Sequence, residues 1–379
     1  MPDHDRFLKK LLESLSGQVF LAGRYASAEL GLPEDGVLRV FLPDLHWMSQ
    51  KAQLRFTRGY GFNGNSVILD GRPLFSAFLD LLEDLKKGAG VHRGAGLEVY
   101  QLGDCYDIWR EITPGTMDIP AAYERIRNDP VIGSLATRLD GLDAKYVLGN
   151  HDHWLLIATS GRADRTRKEW AAAQGRIRLT HGHEYDALEV ALPDEIQAEV
   201  VNRYPHPSIS MHSIGLFSKK ATAEMQTVLS LRARGGFSKT FYPHVEPDGA
   251  FKITDVADVE AIGAKSLTYL DVSQFSHVPG SRNDFDHISY LGFSDQILAA
   301  ELNHPKDHCL HVIGHTHGAR LLIDRLPDGR PHAVLDCGGW IGLCKVRTSE
   351  KGTAATVPSA QIGIQYGNDI RLYQLGGIS

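Results

Sequence analysis

The sequence has few cysteines, no long apolar run and no excess of basic charge. Its four cysteines form no C-x-x-C pair, so we expect reduced thiols rather than a disulfide framework. No run of about 18 apolar residues occurs, so we expect no transmembrane helix. The net charge of −6 lacks the basic surplus that general nucleic-acid binders usually carry.

The N-terminal segment also lacks the apolar core of an export signal. Residues 1–15 are charged, and their apolar residues recur at helical spacing, which predicts an amphipathic helix packed on the body. We therefore expect a cytoplasmic protein. Internal repeats and low-complexity stretches are missing as well.

What the sequence does contain is an alternation of short apolar runs and helical patterns. The order strand, helix, strand, helix, strand favours an α/β layered fold. The later strands follow one another without long helices, which predicts a second sheet packed on the first. Helices are predicted at 74–85 and 121–139, and strands at 37–42, 97–102, 145–148, 176–180, 309–313, 320–323, 333–335 and 369–374.

The segment 188–287 fits this alternation poorly, because it is long and rich in Ser, Pro and Gly. We interpret them as a lid-like insertion within a single domain of residues 1–379. Packing on the outside of the fold and a dimer contact are the alternatives. The insertion carries cationic residues that could grip phosphate or form a solvated face: Lys219, Lys220, Arg232, Arg234 and Lys239.

Five predicted strands are each followed directly by a cluster of polar side chains. In open α/β sheets, binding groups gather beyond the carboxyl ends of strands, so these clusters can converge on one place. Carboxylate, imidazole and amide groups suit Mn²⁺, Fe or Zn²⁺, and one carboxylate can bridge two ions. The clusters are DLH at 44–46, GDCYD at 103–107, GNHDH at 149–153, HGH at 181–183 and GHTH at 314–317.

The spacing within two clusters places ligand types side by side. Asp44 and His46 are two residues apart, as are His315 and His317, so each pair points the same way from an extended segment. Asn150 offers an uncharged oxygen, which keeps the total ligand charge low and leaves bound ions electrophilic. The clusters therefore predict a metal centre that can hold two ions bridged by one carboxylate.

The ordered set D-x-H, GD-x-x-D, GNHD, HG and GH-x-H resembles the calcineurin-like metallophosphoesterases. The set extends from Asp44 to His317. The details GDCYDIW, THGHEYD and GHTH are similar to the branch that includes the bacterial UDP-2,3-diacylglucosamine pyrophosphohydrolases, although residues 188–287 are not. The resemblance implies two packed mixed β-sheets flanked by helices in a four-layer αββα sandwich, with two divalent ions, Mn²⁺ favoured and Fe or Zn²⁺ acceptable.

The resemblance also assigns roles to nine residues. His151 would face the scissile phosphate, stabilising its charge or protonating the leaving oxygen, and Asp107 would hydrogen-bond His151 and raise its basicity. The implied metal ligands are Asp44, His46 and His317 for one ion, Asn150, His181 and His315 for the other, and Asp104 bridging both. No substrate-binding residue is assigned.

The expected activity is hydrolysis of a phosphate ester or anhydride by metal-bound hydroxide, of the phosphodiesterase or pyrophosphohydrolase type. A phosphomonoesterase of the protein-phosphatase type is the alternative. It is disfavoured because the chain has GNHD rather than GNHE and no Arg follows Asp107. A non-catalytic interaction module on the same fold is a further alternative. Substrate identity and oligomeric state stay open.

Other polar residues have simpler interpretations. Asp152 is interpreted as an orienting hydrogen-bond acceptor, and Cys105 as a small buried apolar residue. His153 and His183 are interpreted as surface residues or as residues that contact ligands. Core or surface packing accounts for the remaining histidines near the later strands without a metal: His287, His304, His308 and His311.

Overall fold

The chain forms a mixed α/β structure with two mixed β-sheets and few helices. The α/β class predicted from the alternation is therefore confirmed. The computed structural model of the chain describes residues 19–53, 62–65, 68–69, 71–88, 96–111, 119–152, 165–167, 169–183, 241–245, 251–255, 297–298, 301–302, 307–341, 343–347 and 354–376.

Most predicted strands are present, within about two residues at each end. In chain order the strands are β1 (Val19–Ala26), β2 (Val37–Leu42), β3 (Ile68–Leu69), β4 (Arg72–Pro73), β5 (Gly96–Gln101), β6 (Lys145–Val147), β7 (Thr166–Arg167), β8 (Trp170–Ala172), β9 (Ile177–Leu179), β10 (Phe241–Val245), β11 (Phe251–Asp255), β12 (Leu310–Ile313), β13 (Arg320–Arg325), β14 (Pro331–Asp336), β15 (Leu343–Arg347), β16 (Ala354–Pro358), β17 (Gln361–Tyr366) and β18 (Asp369–Leu375).

The larger sheet has seven strands in the order β1-β18-β17-β2-β5-β6-β7. Its half from β2 to β7 is parallel, and the half from β1 to β2 is antiparallel. Strand β2 is buried at every residue after the first, because both faces of the sheet are covered. Burial on both faces explains why β2 reads as a near-continuous apolar run rather than an alternating one.

Helices cover one face of the larger sheet. Apolar side chains of the helices join those of β2 and β5 in one buried cluster, which includes Phe75, Phe78, Leu135, Val40 and Val99. The helices described are α1 (Gln50–Gln53), α2 (Leu74–Lys86), α3 (Ile108–Glu111), α4 (Ile119–Arg127) and α5 (Ile132–Gly141). Helix α2 confirms the helix predicted at 74–85.

The helical stretch predicted at 121–139 is present but divided in two, because the chain breaks between α4 and α5. Pro130 lacks the N–H that a continuous helix would use. Asp129 caps the second helix, since its Oδ1 accepts hydrogen bonds from the N–H groups of Val131 and Ile132, both at 3.0 Å. Helix α5 therefore starts afresh after the proline.

The smaller sheet has five strands in the order β13-β14-β12-β9-β8, with β12 parallel to both β14 and β9. Phe41 and Tyr100 of the larger sheet share a buried cluster with Leu310 and Leu335 of the smaller sheet. The two sheets therefore bury a common core, as the succession of later strands predicted.

Two sequence predictions concern residues that the structure covers little or not at all. The N-terminal amphipathic helix lies outside the described residues. Of the insertion at 188–287, only the antiparallel pair β10 and β11 is described, so its lid-like role and the single domain stay predictions. In the described part of the chain, no helix is long and apolar enough to span a membrane.

Candidate metal centre

The five polar clusters follow strands that run parallel within each sheet. Strands β2, β5 and β6 are parallel neighbours, and so are β9 and β12, so the carboxyl ends of each set lie at one edge. Backbone bonds join the loops, with His46 N donating to Asp104 O at 2.8 Å. The nine residues assigned from sequence lie together there: Asp44, His46, Asp104, Asp107, Asn150, His151, His181, His315 and His317.

A first group of ligand atoms is formed by Asp44, His46 and His317, all buried. The Nε2 atoms of His46 and His317 are 3.1 Å apart, and Asp44 Oδ2 lies 3.0 Å from His317 Nε2. Atoms that share one ion at about 2.0–2.2 Å are separated by roughly 3 Å from one another. The third distance, from His46 Nε2 to Asp44 Oδ2, is 3.9 Å, so these three side chains can hold one ion after a small shift of one of them.

A second group contains Asp104, Asn150 and His181. His181 Nε2 lies 3.0 Å from Asn150 Oδ1 and 3.4 Å from Asp104 Oδ2. The other ring nitrogen of His181 donates to the carbonyl oxygen of Leu102 at 2.7 Å, so Nε2 is the atom that would bind a metal after losing its proton. Asp104 Oδ2 is also 3.6 Å from His46 Nε2, so this carboxylate lies between the two groups.

His315 contributes to the site through its backbone as well as its ring. Its N–H donates to both carboxylate oxygens of Asp44, at 3.0 and 3.1 Å, and so orients that carboxylate. Its imidazole ring lies with its centroid 5.0 Å from that of His181. His315 is therefore next to the second group, where the sequence places it.

The expectation that the D-x-H and H-x-H pairs lie on extended backbone is wrong. Four site residues have left-handed backbone, with φ of 46° at His46, 51° at Asp104, 71° at His315 and 54° at His317. Non-glycine residues adopt this region rarely, and such residues concentrate at functional sites. The ligand atoms converge because the chain turns sharply at these positions.

Two glycines allow the carboxylates to approach the backbone. A Cβ added at Gly149 would overlap Oδ1 and the backbone nitrogen of Asp104, and one added at Gly314 would overlap Oδ1 of Asp44. Neither position leaves room for a larger residue without moving a carboxylate. The glycines of the GNHD and GHTH stretches are therefore required by close packing against the two acidic groups.

Asp152 orients two loops, as the sequence predicted. Its Oδ2 accepts from Cys105 N at 2.8 Å, and its Oδ1 accepts from Gly149 N at 2.7 Å. Burial, with the nearby charge of Asp104, raises the pKa of Asp152 to about 7. The side chain therefore links the loop of Asp104 to the loop of Asn150, and Cys105 is buried in the core as expected.

Asp107 contacts two imidazoles at once. Its Oδ1 lies 2.9 Å from His151 Nδ1, and its Oδ2 lies 3.3 Å from His46 Nδ1. Asp107 acts to raise the basicity of His151, as expected, but burial has the larger effect. Burial lowers the pKa of His151 to about 4, although Asp104 and Asp107 each act to raise it.

The electrostatics of the second group favour positive charge at its centre. Burial acts to raise the pKa of Asp104, but the imidazoles of His181 and His151 outweigh it and lower this pKa well below its ordinary value. Conversely, burial acts to lower the pKa of His181, yet Asp104 and Asp44 raise it to about 10. The two buried carboxylates thus favour the protonated, positively charged ring of His181. A divalent cation would displace that proton.

Several further residues singled out in the sequence have definite outcomes. His183 is buried, with its ring centroid 5.3 Å from that of His181, so the surface interpretation is wrong and the contact with a ligand-type residue is right. His153 and the cationic residues of the insertion lie outside the described residues.

Comparison with known proteins adds nothing to these observations. A scan against protein-family models found no match, and a search of curated proteins found none either. The case for a function therefore depends on the geometry and chemistry of the site itself.

Proposed function

We propose that the chain is a dinuclear metal-dependent hydrolase of phosphate esters or anhydrides, of the calcineurin-like metallophosphoesterase family. The observation that carries the proposal is the convergence of two groups of ligand atoms on either side of Asp104. The left-handed backbone at four of these residues supports it, because such conformations persist where a functional site requires them.

The donor set suits two hard or borderline divalent ions. The residues present carboxylate and amide oxygens and imidazole nitrogens without a thiol, which fits Mn²⁺, Fe²⁺ or Zn²⁺. We assign Asp44, His46 and His317 to one ion, and Asn150, His181 and His315 to the other. Asp104 bridges the two, and we favour Mn²⁺ because oxygen ligands contribute to both groups.

When bound, two such ions would lower the pKa of a water molecule and neutralise charge on the phosphoryl group. The residues of the chain then supply orientation and proton handling. Asp107 would hold the ring of His151 through Nδ1, which directs Nε2 toward the substrate side of the centre. Asp107 would equally fix the ring of His46 and leave its Nε2 free to bind a metal.

The lowered pKa of His151 bears on its role. With a pKa of about 4, the ring of His151 is neutral at pH 7. In the free protein it therefore cannot act as a proton donor through an imidazolium form. A phosphate group within about 4–6 Å would favour the charged form and raise this pKa. We therefore assign His151 to stabilise the phosphate and to protonate the leaving oxygen only after substrate has bound.

The finer features of the fold and substrate belong to the same proposal. The shared core between the sheets and the helices on the larger sheet support the αββα arrangement.

The GNHD stretch at residues 149–152, which carries Asn150, supports the diesterase or pyrophosphohydrolase type over the monoesterase type. We assign substrate choice to residues 188–287. The buried thiols of Cys105, Cys309 and Cys337, which form no disulfide, support a cytoplasmic location.

An activity assay with defined metal content tests the proposal. The purified chain is stripped with a chelator and reloaded separately with Mn²⁺, Fe²⁺ or Zn²⁺, then given bis-p-nitrophenyl phosphate and p-nitrophenyl phosphate. We expect metal-dependent hydrolysis, faster for the diester. Hydrolysis of neither ester, with two ions bound, would favour a non-catalytic interaction module. A screen of nucleotides, sugar nucleotides and phosphopeptides then identifies the substrate class.

A further inference from the structure

A second cluster of ligand-type side chains lies on the smaller sheet. The carboxylate of Glu301 faces three imidazoles, those of His308, His311 and His332, and all four side chains are buried. Three of the four, Glu301, His308 and His311, offer ligand atoms that lie within 4.8 Å of one another. No residue of this cluster belongs to the centre around Asp104.

The cluster lies on the face of the smaller sheet that points away from the larger sheet. Leu310 and Val312 of β12 pack in the core shared by the two sheets, so His311 between them points to the opposite face. On that opposite face Ile313 and Val334 pack against Ile297 of the helical residues 297–298 and 301–302. The cluster therefore lies between this helical segment and the sheet.

The distances within the cluster match those between ligands of one ion. Glu301 Oε1 lies 3.1 Å from His308 Nε2 and 2.9 Å from His311 Nδ1. Atoms bound tetrahedrally to Zn²⁺ at about 2.0–2.1 Å are separated by about 3.3 Å. Both distances from Glu301 Oε1 are therefore close to those around one ion, and the three ligand atoms all lie within 4.8 Å of one another.

The other polar atoms of the cluster are arranged as supports. His311 Nε2 lies 2.9 Å from Thr180 Oγ1, and His332 Nε2 lies 2.6 Å from the second oxygen of Glu301. Metal-binding imidazoles and carboxylates typically use their far atoms in this way, which fixes the ring tautomer and the carboxylate orientation. Thr180 and His332 thus hold two of the three ligands in position.

We propose that Glu301, His308 and His311 bind a single zinc-type divalent ion that fastens the helical residues 301–302 to the outer face of the smaller sheet. The site is distinct from the catalytic centre and has a structural role. It also lies on the chain that leads into the catalytic ligands, because β12 carries His311 and ends just before His315. The ion would therefore anchor β12 on the side away from the catalytic centre.

Charge in the cluster is consistent with this role. Burial acts to raise the pKa of Glu301, but the facing imidazoles of His311 and His308 outweigh it and lower that pKa, so the carboxylate is ionised. Burial lowers the pKa of His308, which leaves its ring neutral and able to donate a lone pair. The competing arrangement is an ion pair with Arg178, whose Nη1 is 3.6 Å from Glu301 Oε1.

Metal stoichiometry separates the two arrangements without any activity measurement. The chelator-stripped chain is titrated with Co²⁺, whose visible absorption reports four-coordinate binding, and with Zn²⁺ against a competing dye. The experiment uses the Asp104→Asn background, so that the catalytic centre contributes little. We expect one equivalent of tight Zn²⁺ in this background and none after adding His308→Gln and His311→Gln. Equal binding by both proteins would overturn the proposal.

The Thr180→Val variant tests the supporting contact, because it removes the partner of His311 and leaves all three ligands. We expect it to bind Zn²⁺ with about 10–100-fold lower affinity. If the glutamine variants fail to fold, anomalous scattering at the zinc edge from crystals of the unmodified chain decides the question. A peak among Glu301, His308 and His311 supports the site. Its absence from crystals grown with Zn²⁺ would mean that the cluster is the metal-free ion pair.

Discussion

The Nδ1 atom of His151 lies 2.9 Å from Oδ1 of Asp107. The second oxygen of the same carboxylate contacts Nδ1 of His46 at 3.3 Å, so one buried acid orients both a metal ligand and the residue assigned to the substrate. Metal binding and proton transfer are thereby linked through a side chain that contacts neither ion nor substrate in our assignment. This linkage makes Asp107 the most informative single position in the site.

Changing Asp107 to Asn should weaken metal binding and proton transfer together. An amide has one oxygen and an NH₂ group, so only one of the two imidazoles keeps an acceptor. We expect about 10–100-fold weaker metal binding, by analogy with other supports of metal-binding histidines. We also expect a lower kcat at saturating metal. Metal titration and kcat measured on the same preparation check this, and normal values of both would contradict the assignment.

His151→Ala should separate metal binding from proton transfer. The ring is not assigned as a ligand, so both ions should stay bound while the rate falls by about 10²–10⁴, the usual contribution of a general acid. The loss should be smaller for esters with acidic leaving groups, because these need no proton. Metal analysis and rates across a series of aryl phosphates test the division of roles. Loss of an ion in this variant would make His151 a ligand instead.

Asp104→Asn should remove metal and abolish turnover together. Asp104 Oδ2 lies 3.6 Å from His46 Nε2 and 3.4 Å from His181 Nε2, so the shared charge is at the midpoint of the centre. The amide keeps the shape of the side chain but loses the negative charge that both ions require. Two ions still bound, with near-normal activity, would show that Asp104 does not bridge them.

Gly149→Ala should disrupt the centre without replacing any assigned ligand. The new methyl group would overlap Asp104 Oδ1 and the backbone beside it, so the carboxylate has to move. We expect reduced metal binding and a fall in activity of at least about tenfold. The matched control is Gly141→Ala, at the end of α5, where an added Cβ meets no atom within 4 Å. Equal metal affinity in the two variants would refute the close approach at Gly149.

Strand positions were predicted well where burial is continuous. Strand β2 matches its predicted bounds. All of its residues after the first are buried, so the apolar run in the sequence extends over the whole strand. Pro130 is a helix-breaking signal in the sequence, but the prediction passed over it because the residues on both sides have a helical pattern. β17 was missed although Ile362, Ile364 and Tyr366 alternate with polar residues and Gly, which is itself a strand signal.

The site was predicted as a set of residues, and its geometry was not. Sequence spacing suggested extended pairs, whereas the backbone is left-handed at His46 and His317, and no side-chain pattern reports φ. The effect of Asp107 on the pKa of His151 was predicted, but the larger lowering by burial was not, because burial depends on the complete fold. The cluster around Glu301 was not predicted, since its members are brought together only by strand pairing and the returning helical segment.

Left-handed backbone at His46, Asp104, His315 and His317 has a consequence for how the chain persists in a cell. Each such residue costs of the order of 1–3 kcal/mol relative to a relaxed conformation. If the proposed ions bind, ligation would offset that cost only while they are present. Removal of metal would then loosen the loops that carry these residues first, so the amount of folded protein in a cell would follow the metal supply.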